Sequence, residues 1–235
     1  MTPAVTRRPT WVVKLGGSLW NGDALRPWLA ALAAERTEAG RTCRIVIVPG
    51  GGPFADAVRH AQPVLGYGAA AAHRMAILGM EQYGLALLDL EPGLAPARTV
   101  ADMTEASGPV VWLPTPLAAE ADVAESWDVT SDTLAAWLAG RLEAERLVLV
   151  KSAPLPAGSA DARALARAGV IDPVLPDLMA SLPAEVRCVG CADLPRFIAA
   201  LRGGRPAGTR LTADAPMQQG RRMEPEAAWP GTSFS

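Results

Sequence analysis

The chain has 235 residues, half of them hydrophobic and only 5% aromatic, with three cysteines and a formal net charge of −2 at pH 7. That length can bury the core of one large domain, and acids and bases that nearly balance and are interspersed exclude the electrostatic footprint of a nucleic-acid or anionic-membrane binder. No apolar run approaches the roughly 20 residues of a membrane span, and the first ten residues lack the apolar stretch of a secretion signal, so a cytoplasmic protein is expected.

In chain order, residues 1–10 carry two arginines and two prolines and read as an extension. Short β-like runs at 11–15, 44–48, 110–113, 147–151, 186–190 and near 208–212 then alternate with helical patterns over 23–39, 53–61, 69–90, 131–144, 161–168 and 193–202. Such alternation predicts an α/β fold with parallel strands joined by crossover helices. In the 131–144 pattern Leu134, Trp137, Leu138 and Leu142 recur at helical spacing, and Ser131 or Thr130 can cap its start. The 69–90 pattern is apolar over most of its circumference through Met75, Ile77, Leu78, Met80, Leu85, Leu87 and Leu88. It therefore reads either as a helix wrapped by one core or as a helix packed on a second subunit, and the second is favoured. From about 213 to 235 the pattern becomes polar, proline-containing and aperiodic, which predicts a mobile tail.

An odd cysteine count argues against a disulfide framework. Cys188 and Cys191 form a C-x-x-C pair, but one pair is half of a zinc site, and neither His60 nor His73 has finger-like spacing from it. No metal site is expected there, and the thiols read as reduced.

The chemistry-bearing pattern begins with lysine. The chain has twenty arginines and two lysines, and both lysines end predicted buried strands: Lys14 after Trp11-Val12-Val13, and Lys151 after Leu147-Val148-Leu149-Val150. A compact ammonium on a flexible stem suits a phosphate in flight better than arginine's planar fork. A strand-end lysine can also simply extend its stem over apolar surface. The glycines beside Lys14 favour the phosphate reading there, and for Lys151 both readings stand.

Two glycine-rich turns each follow a strand and precede a helix, Lys14-Leu15-Gly16-Gly17-Ser18 and Pro49-Gly50-Gly51-Gly52-Pro53. Without a Cβ in the way, their backbone N–H groups can approach an anion, and the next helix N-terminus adds partial positive charge. One such turn is a weak signal, whereas two in consecutive units predict a site holding two anionic groups. Neither turn is a P-loop. Gly66-Tyr67-Gly68-Ala69-Ala70-Ala71 imitates a dinucleotide fingerprint but follows a helix, and it is discounted. A third segment, Trp127-Asp128-Val129-Thr130-Ser131-Asp132, leads into the 131–144 helix. Asp132 can be an ordinary helix-start residue, or it can orient two lysines and hold them charged. Ser18 and Thr130 read equally as turn or cap hydroxyls.

Together these segments resemble the amino acid kinase superfamily, and within it the aminomethylfuranmethanol phosphate kinase group. The similarity spans about residues 11–212. It rests on the Val-Val-Lys-Leu-Gly-Gly-Ser opening, Val-Pro-Gly-Gly-Gly-Pro-Phe-Ala-Asp at 48–56, Asp-Val-Thr-Ser-Asp-Thr-Leu-Ala-Ala at 128–136, and Gly208-Thr209. The branch is carried by the stretch from His73 to Gly84 and by Lys151-Ser152. The resemblance implies a three-layer α/β/α sandwich around a mostly parallel open sheet, in homodimers or larger assemblies through the 69–90 helix. It implies one domain over 11–212, with an acceptor half at about 11–125 and a nucleotide half at about 126–212. Carried over by position, Lys14 meets the transferring phosphoryl group of ATP, brought with Mg2+, and Asp132 organises the lysines. Gly16, Gly17, Ser18 and Ser152 serve the nucleotide. Gly50, Gly51, Gly52, Asp128 and Thr130 serve a phosphate-bearing small-molecule acceptor. His73 on the 69–90 helix reads either as a residue that reaches this acceptor or as a satisfied core histidine, and Arg59 and Arg74 read either as reserve phosphate ligands or as part of a solvated face.

The chain departs from the family pattern in one place. Many members carry a second catalytic lysine in a segment that here reads Gly169-Val170-Ile171-Asp172-Pro173, without lysine. Lys151 is the candidate replacement. The expected activity is transfer of a γ-phosphoryl group to an acceptor phosphate, giving a diphosphate. The alternatives are a carboxylate kinase of the acetylglutamate kinase type and a non-catalytic ligand-binding or storage protein.

Overall fold

The structure, a computed structural model, describes residues 8–35, 43–153 and 155–213. Most of the expected extension, the end of the 23–39 helix and almost all of the 213–235 tail lie outside the described residues.

The centre of the molecule is β1 (Thr10–Leu15), every residue of which is buried. It lies between β2 (Arg44–Pro49) and β5 (Arg146–Lys151), parallel to both. The sheet continues through β4 (Val110–Trp112) to β3 (Ala95–Ala97) on one side. On the other it runs through β7 (Glu185–Gly190) and β8 (Thr209–Thr212) to β6 (Ser159–Asp161). Among the described residues the sheet has eight strands in the order β3-β4-β2-β1-β5-β7-β8-β6, and of their pairings only β7–β8 is antiparallel. Central strands buried on both faces read as continuous apolar runs, which is why 11–15, 44–48 and 147–151 stand out in the sequence.

Alternation along the strands divides the core into two layers. Val12, Val46, Leu147 and Leu149 face one layer, covered by Leu134 and Leu138 of α6 (Ser131–Arg141). Val13, Ile47 and Val148 face the other, under Trp28 of α1 (Leu25–Ala34) and Phe197 of α9 (Leu194–Leu201), whose rings lie 4.9 Å apart. Each aliphatic side chain so buried contributes about 1.5–3 kcal/mol. The result is an α/β/α sandwich around a mostly parallel open sheet, as expected.

Several short elements were not legible: β3, β6, α4 (Val100–Glu105), α5 (Thr115–Ala118) and α8 (Leu175–Met179). Three to six residues are too few to display a period, although α4 has a local capping box in which Thr99 and Asp102 each accept from the other's backbone N–H. The helix after the second glycine turn, α2 (Gly52–Leu65), runs longer than the expected 53–61 and stops where Gly66 takes a left-handed φ of 73°. The 131–144 pattern ends as a helix at Arg141, ahead of Glu143 at φ 45°. Between α6 and α8 lies α7 (Ala162–Arg167).

The apolar α3 (Ala69–Leu90) is used in two ways. His73, Ile77, Met80, Tyr83 and Leu87 are buried in its own core, while Met75, Leu78 and Leu85 are 38–50% exposed in a stripe on one side.

Candidate active site

Register and parity place the two lysines together. Lys14 pairs with Leu149, so Lys14 and Lys151 project from the same sheet face at adjacent carboxyl ends, on the side that α6 covers. Asp132, in the first turn of α6 and 2% exposed, lies between them. Lys14 Nζ is 2.8 Å from its Oδ1, and Lys151 Nζ donates to its Oδ2 at 2.5 Å.

A buried carboxylate needs such partners. Burial alone pushes Asp132 up, but the Lys14 and Lys151 ammonium groups outweigh it and hold the carboxyl below its ordinary value. Lys151 is lowered, first by burial and then by the charge of Lys14, with Asp132 opposing both. Two like charges are thus held at one point by one carboxylate, an arrangement suited to meeting an anion.

The two glycine turns close over this point. A Cβ on Gly50 would lie 2.3 Å from the Gly17 backbone nitrogen, and one on Gly17 would lie 2.6 Å from that of Gly52. The turns therefore pack backbone to backbone, a reason for glycine at 17 and 50 that is independent of any ligand. They border a cavity of about 570 Å3 lined by Lys14, Lys151, Gly16, Gly17, Ser18 and Ser152. Gly51, Gly52, Thr130 and His73 also line it, whereas Gly50 and the exposed Asp128 do not. Ser18 and Ser152 face each other with hydroxyls 3.0 Å apart, joining the first turn to the end of β5. No side chain caps α2, which starts at this wall; Pro53 has no N–H and Ala55 donates to the Gly51 carbonyl, so the Gly52 and Phe54 N–H groups are the ones an anion could meet there. His73 is 7% exposed and makes no hydrogen bond among the described residues. Arg59 reaches the cavity, stacked 4.3 Å over the Trp127 ring and paired with Asp56, while Arg74 pairs with Glu125 outside it.

The start of α6 is capped differently from expectation. Neither Thr130 nor Ser131 supplies a side-chain cap. Asp172, from the lysine-free segment, accepts from the Thr130 and Thr133 N–H groups at 2.8 and 3.0 Å and from their hydroxyls at 2.7 and 2.8 Å. Sequence reasoning missed this residue, because a cap arriving from about 40 positions away leaves no local signature. In the same segment Ala168, Gly169 and Val170 form part of the cavity wall.

A second cavity, of about 810 Å3, adjoins the first at Ser152 and Ala153 and is bordered by Gly158, Gly190, Arg196, Arg205 and Gly208. The cysteine pair is split by the sheet: Cys188 belongs to the α6-side core and Cys191 packs on the α1 side. Both are free thiols, and burial pushes Cys188 up to about 12. No described helix is long and apolar enough to cross a membrane.

An open, mostly parallel sheet with two paired ammonium groups and two backbone-lined turns at its strand ends makes a site suited to anions. Residues 9–154 match the amino acid kinase family, and the chain belongs to it. It is 33% identical over 143 residues to the [5-(aminomethyl)furan-3-yl]methyl phosphate kinase of Methanocaldococcus jannaschii. That match covers 59% of this chain and 63% of the relative, less than two thirds of its length. The fold is similar to that of uridylate kinase from Archaeoglobus fulgidus (TM-score 0.62, 17% identity, 86% of this chain and 99% of that one). It is also similar to isopentenyl phosphate kinase (TM-score 0.54, 17% identity, 86% and 99%).

Proposed function

We propose that this kinase transfers the γ-phosphoryl group of MgATP to the phosphate of a small phosphomonoester, forming a diphosphate. The observation that carries the reading is the pairing of Lys14 and Lys151 on the buried Asp132, with both lysines lining a cavity bordered by both glycine turns. Phosphoryl transfer asks mainly for positioning and charge neutralisation. Here Lys14 and Lys151 stabilise charge on the transferring group, and Asp132 keeps both ammonium groups charged and aimed. The N–H groups of Gly51 and Gly52 and the open start of α2 suit the acceptor phosphate, with His73 as a further donor. Ser152 lies where the first cavity meets the second, which is large enough for a nucleoside, and Gly16, Gly17 and Ser18 line the first cavity beside it, so these four suit the nucleotide.

Asp132 has both oxygens against ammonium groups, and among the described residues no three His, Cys, Asp or Glu side chains gather to hold a metal. Mg2+ therefore enters on the phosphates of its nucleotide, as part of the substrate. The relative named for an aminomethylfuran methyl phosphate favours an acceptor of that kind. The exposed Met75, Leu78 and Leu85 stripe on α3 suits a homodimer contact.

The test is MgATP turnover against a panel of phosphomonoesters and carboxylates, with product identified by mass. Diphosphate formation from a phosphomonoester is expected. Turnover of carboxylates alone points to an acylphosphate-forming kinase, and ligand binding without turnover points to a storage role; either result overturns the proposal.

A further inference from the structure

Asp172 has a place in the fold that the reaction so far leaves unexplained. It is a carboxylate only 7% exposed, in a loop distant in sequence, and it spends both oxygens on one turn of one helix. Four donors converge on it, two backbone and two hydroxyl, all from Thr130 and Thr133. Asp132 lies between those two residues. Its side chain leaves the same turn towards the lysines, so the rotation of that turn about the helix axis sets where its oxygens fall.

We infer that Asp172 is the positioning residue of the phosphoryl-transfer site: it clamps the first turn of α6 so that Asp132 stands between the Lys14 and Lys151 ammonium groups. The inference rests on the proposed kinase reading for its catalytic meaning, but the clamp itself is a statement about geometry. Two consequences separate it from an ordinary stabilising cap.

The first concerns Lys151. The groups acting on its charge are Lys14 on β1, Asp132 on α6 and Cys188 on β7, and Asp172 is not among them. Loss of Asp172 therefore reaches Lys151 through what Asp172 holds in place, first of all Asp132. If Asp132 swings away, Lys151 keeps its burial and the repulsion of Lys14 and loses the larger of the two groups that oppose them, with Cys188 the lesser, so its titration moves to lower pH. The second concerns the loop. Ala168, Gly169 and Val170 line the cavity four to two positions before Asp172, so the same segment forms the wall and holds the helix.

The chain's two lysines make the test direct, because lysine-selective 13C,15N labelling yields side-chain signals from the site alone. Asp172→Ala removes the clamp. Asp172→Asn keeps it, with the carbonyl oxygen accepting from both N–H groups and the Thr133 hydroxyl while the amide donates to a rotated Thr130 hydroxyl. In the full chain, Asp172→Ala is expected to move the Lys151 titration to lower pH and to lower kcat about 10²-fold, the scale of a small misplacement of a reacting group. Asp172→Asn is expected to keep the wild-type lysine titration and most of the turnover. If Asp172→Ala does not fold, Thr133→Val, which removes one of the four donors, should shift Lys151 the same way by less. Lysine signals unmoved in the folded variants would overturn the inference and leave a plain helix cap. Asp172→Asn behaving like Asp172→Ala would overturn it too, since charge and not geometry would then be at work. The NMR arm needs no turnover, so failure of the kinase reading leaves the clamp testable.

Discussion

Replacing Lys151 by methionine keeps an unbranched side chain, one atom shorter, and removes its charge. In the structure this deletes the 2.5 Å hydrogen bond to Asp132 and leaves that carboxylate with Lys14 alone, at 2.8 Å. Breaking a buried pair outright costs about 3–5 kcal/mol of stability. Lys14 remains, so the loss should be smaller and the variant should fold, which a melting curve checks. The kinetic effect should exceed the structural one. An ammonium that meets charge developing on the transferring group contributes mainly in the transition state, about 10²–10³ in rate, or about 2.7–4 kcal/mol. Lys151→Met should therefore lower kcat and kcat/KM together, with the KM for acceptor little changed. Asp132→Asn should lose part of the same activity, because Asp132 works by holding the ammonium groups. The double variant should then be less damaged than the product of the single losses. Steady-state kinetics on the three proteins decide the matter. A raised KM for ATP with kcat intact, and single effects that multiply independently, would refute a catalytic Lys151.

Lys14→Arg should keep the fold and charge but lose most turnover, because the guanidinium fork does not fit where an ammonium side chain is only 7% exposed beside Asp132; near-wild-type kcat would contradict this. Gly50→Ala should destabilise by about 1–3 kcal/mol, since its Cβ would meet the Gly17 backbone at 2.3 Å, while Gly108→Ala, with nothing within 4 Å, should be nearly neutral in a denaturant melt. The alkaline limb of kcat/KM should lie below 10.5, because Lys151 works protonated and its folded-state value is lowered by burial and by Lys14, so activity falls as pH rises through that lowered value. A limb at or above 10.5 in a protein still folded at that pH would remove Lys151 from the active form.

By itself the sequence determined the parallel α/β architecture. Strands buried on both faces must be continuous apolar runs, and 11–15, 44–48 and 147–151 carry that mark regardless of what they touch. It also singled out Lys14, Lys151 and Asp132 as chemically unusual, because two lysines among twenty arginines, each at a strand end, call for an explanation. Only the tertiary structure decided how they act. Asp132 and Lys151 are 19 positions apart and Lys14 is more than a hundred from both, and the shared face follows from the β1–β5 register, which no local pattern encodes. The same holds for the glycines. The sequence marks two backbone-lined turns, but only their packing reveals that Gly17 and Gly50 must lack a Cβ because each meets the other's turn. It holds most of all for Asp172, whose role depends on a contact made across about 40 residues. Local signals report what a residue does to its own segment; charge placement at a site is fixed by which segments meet, and that is a property of the folded chain.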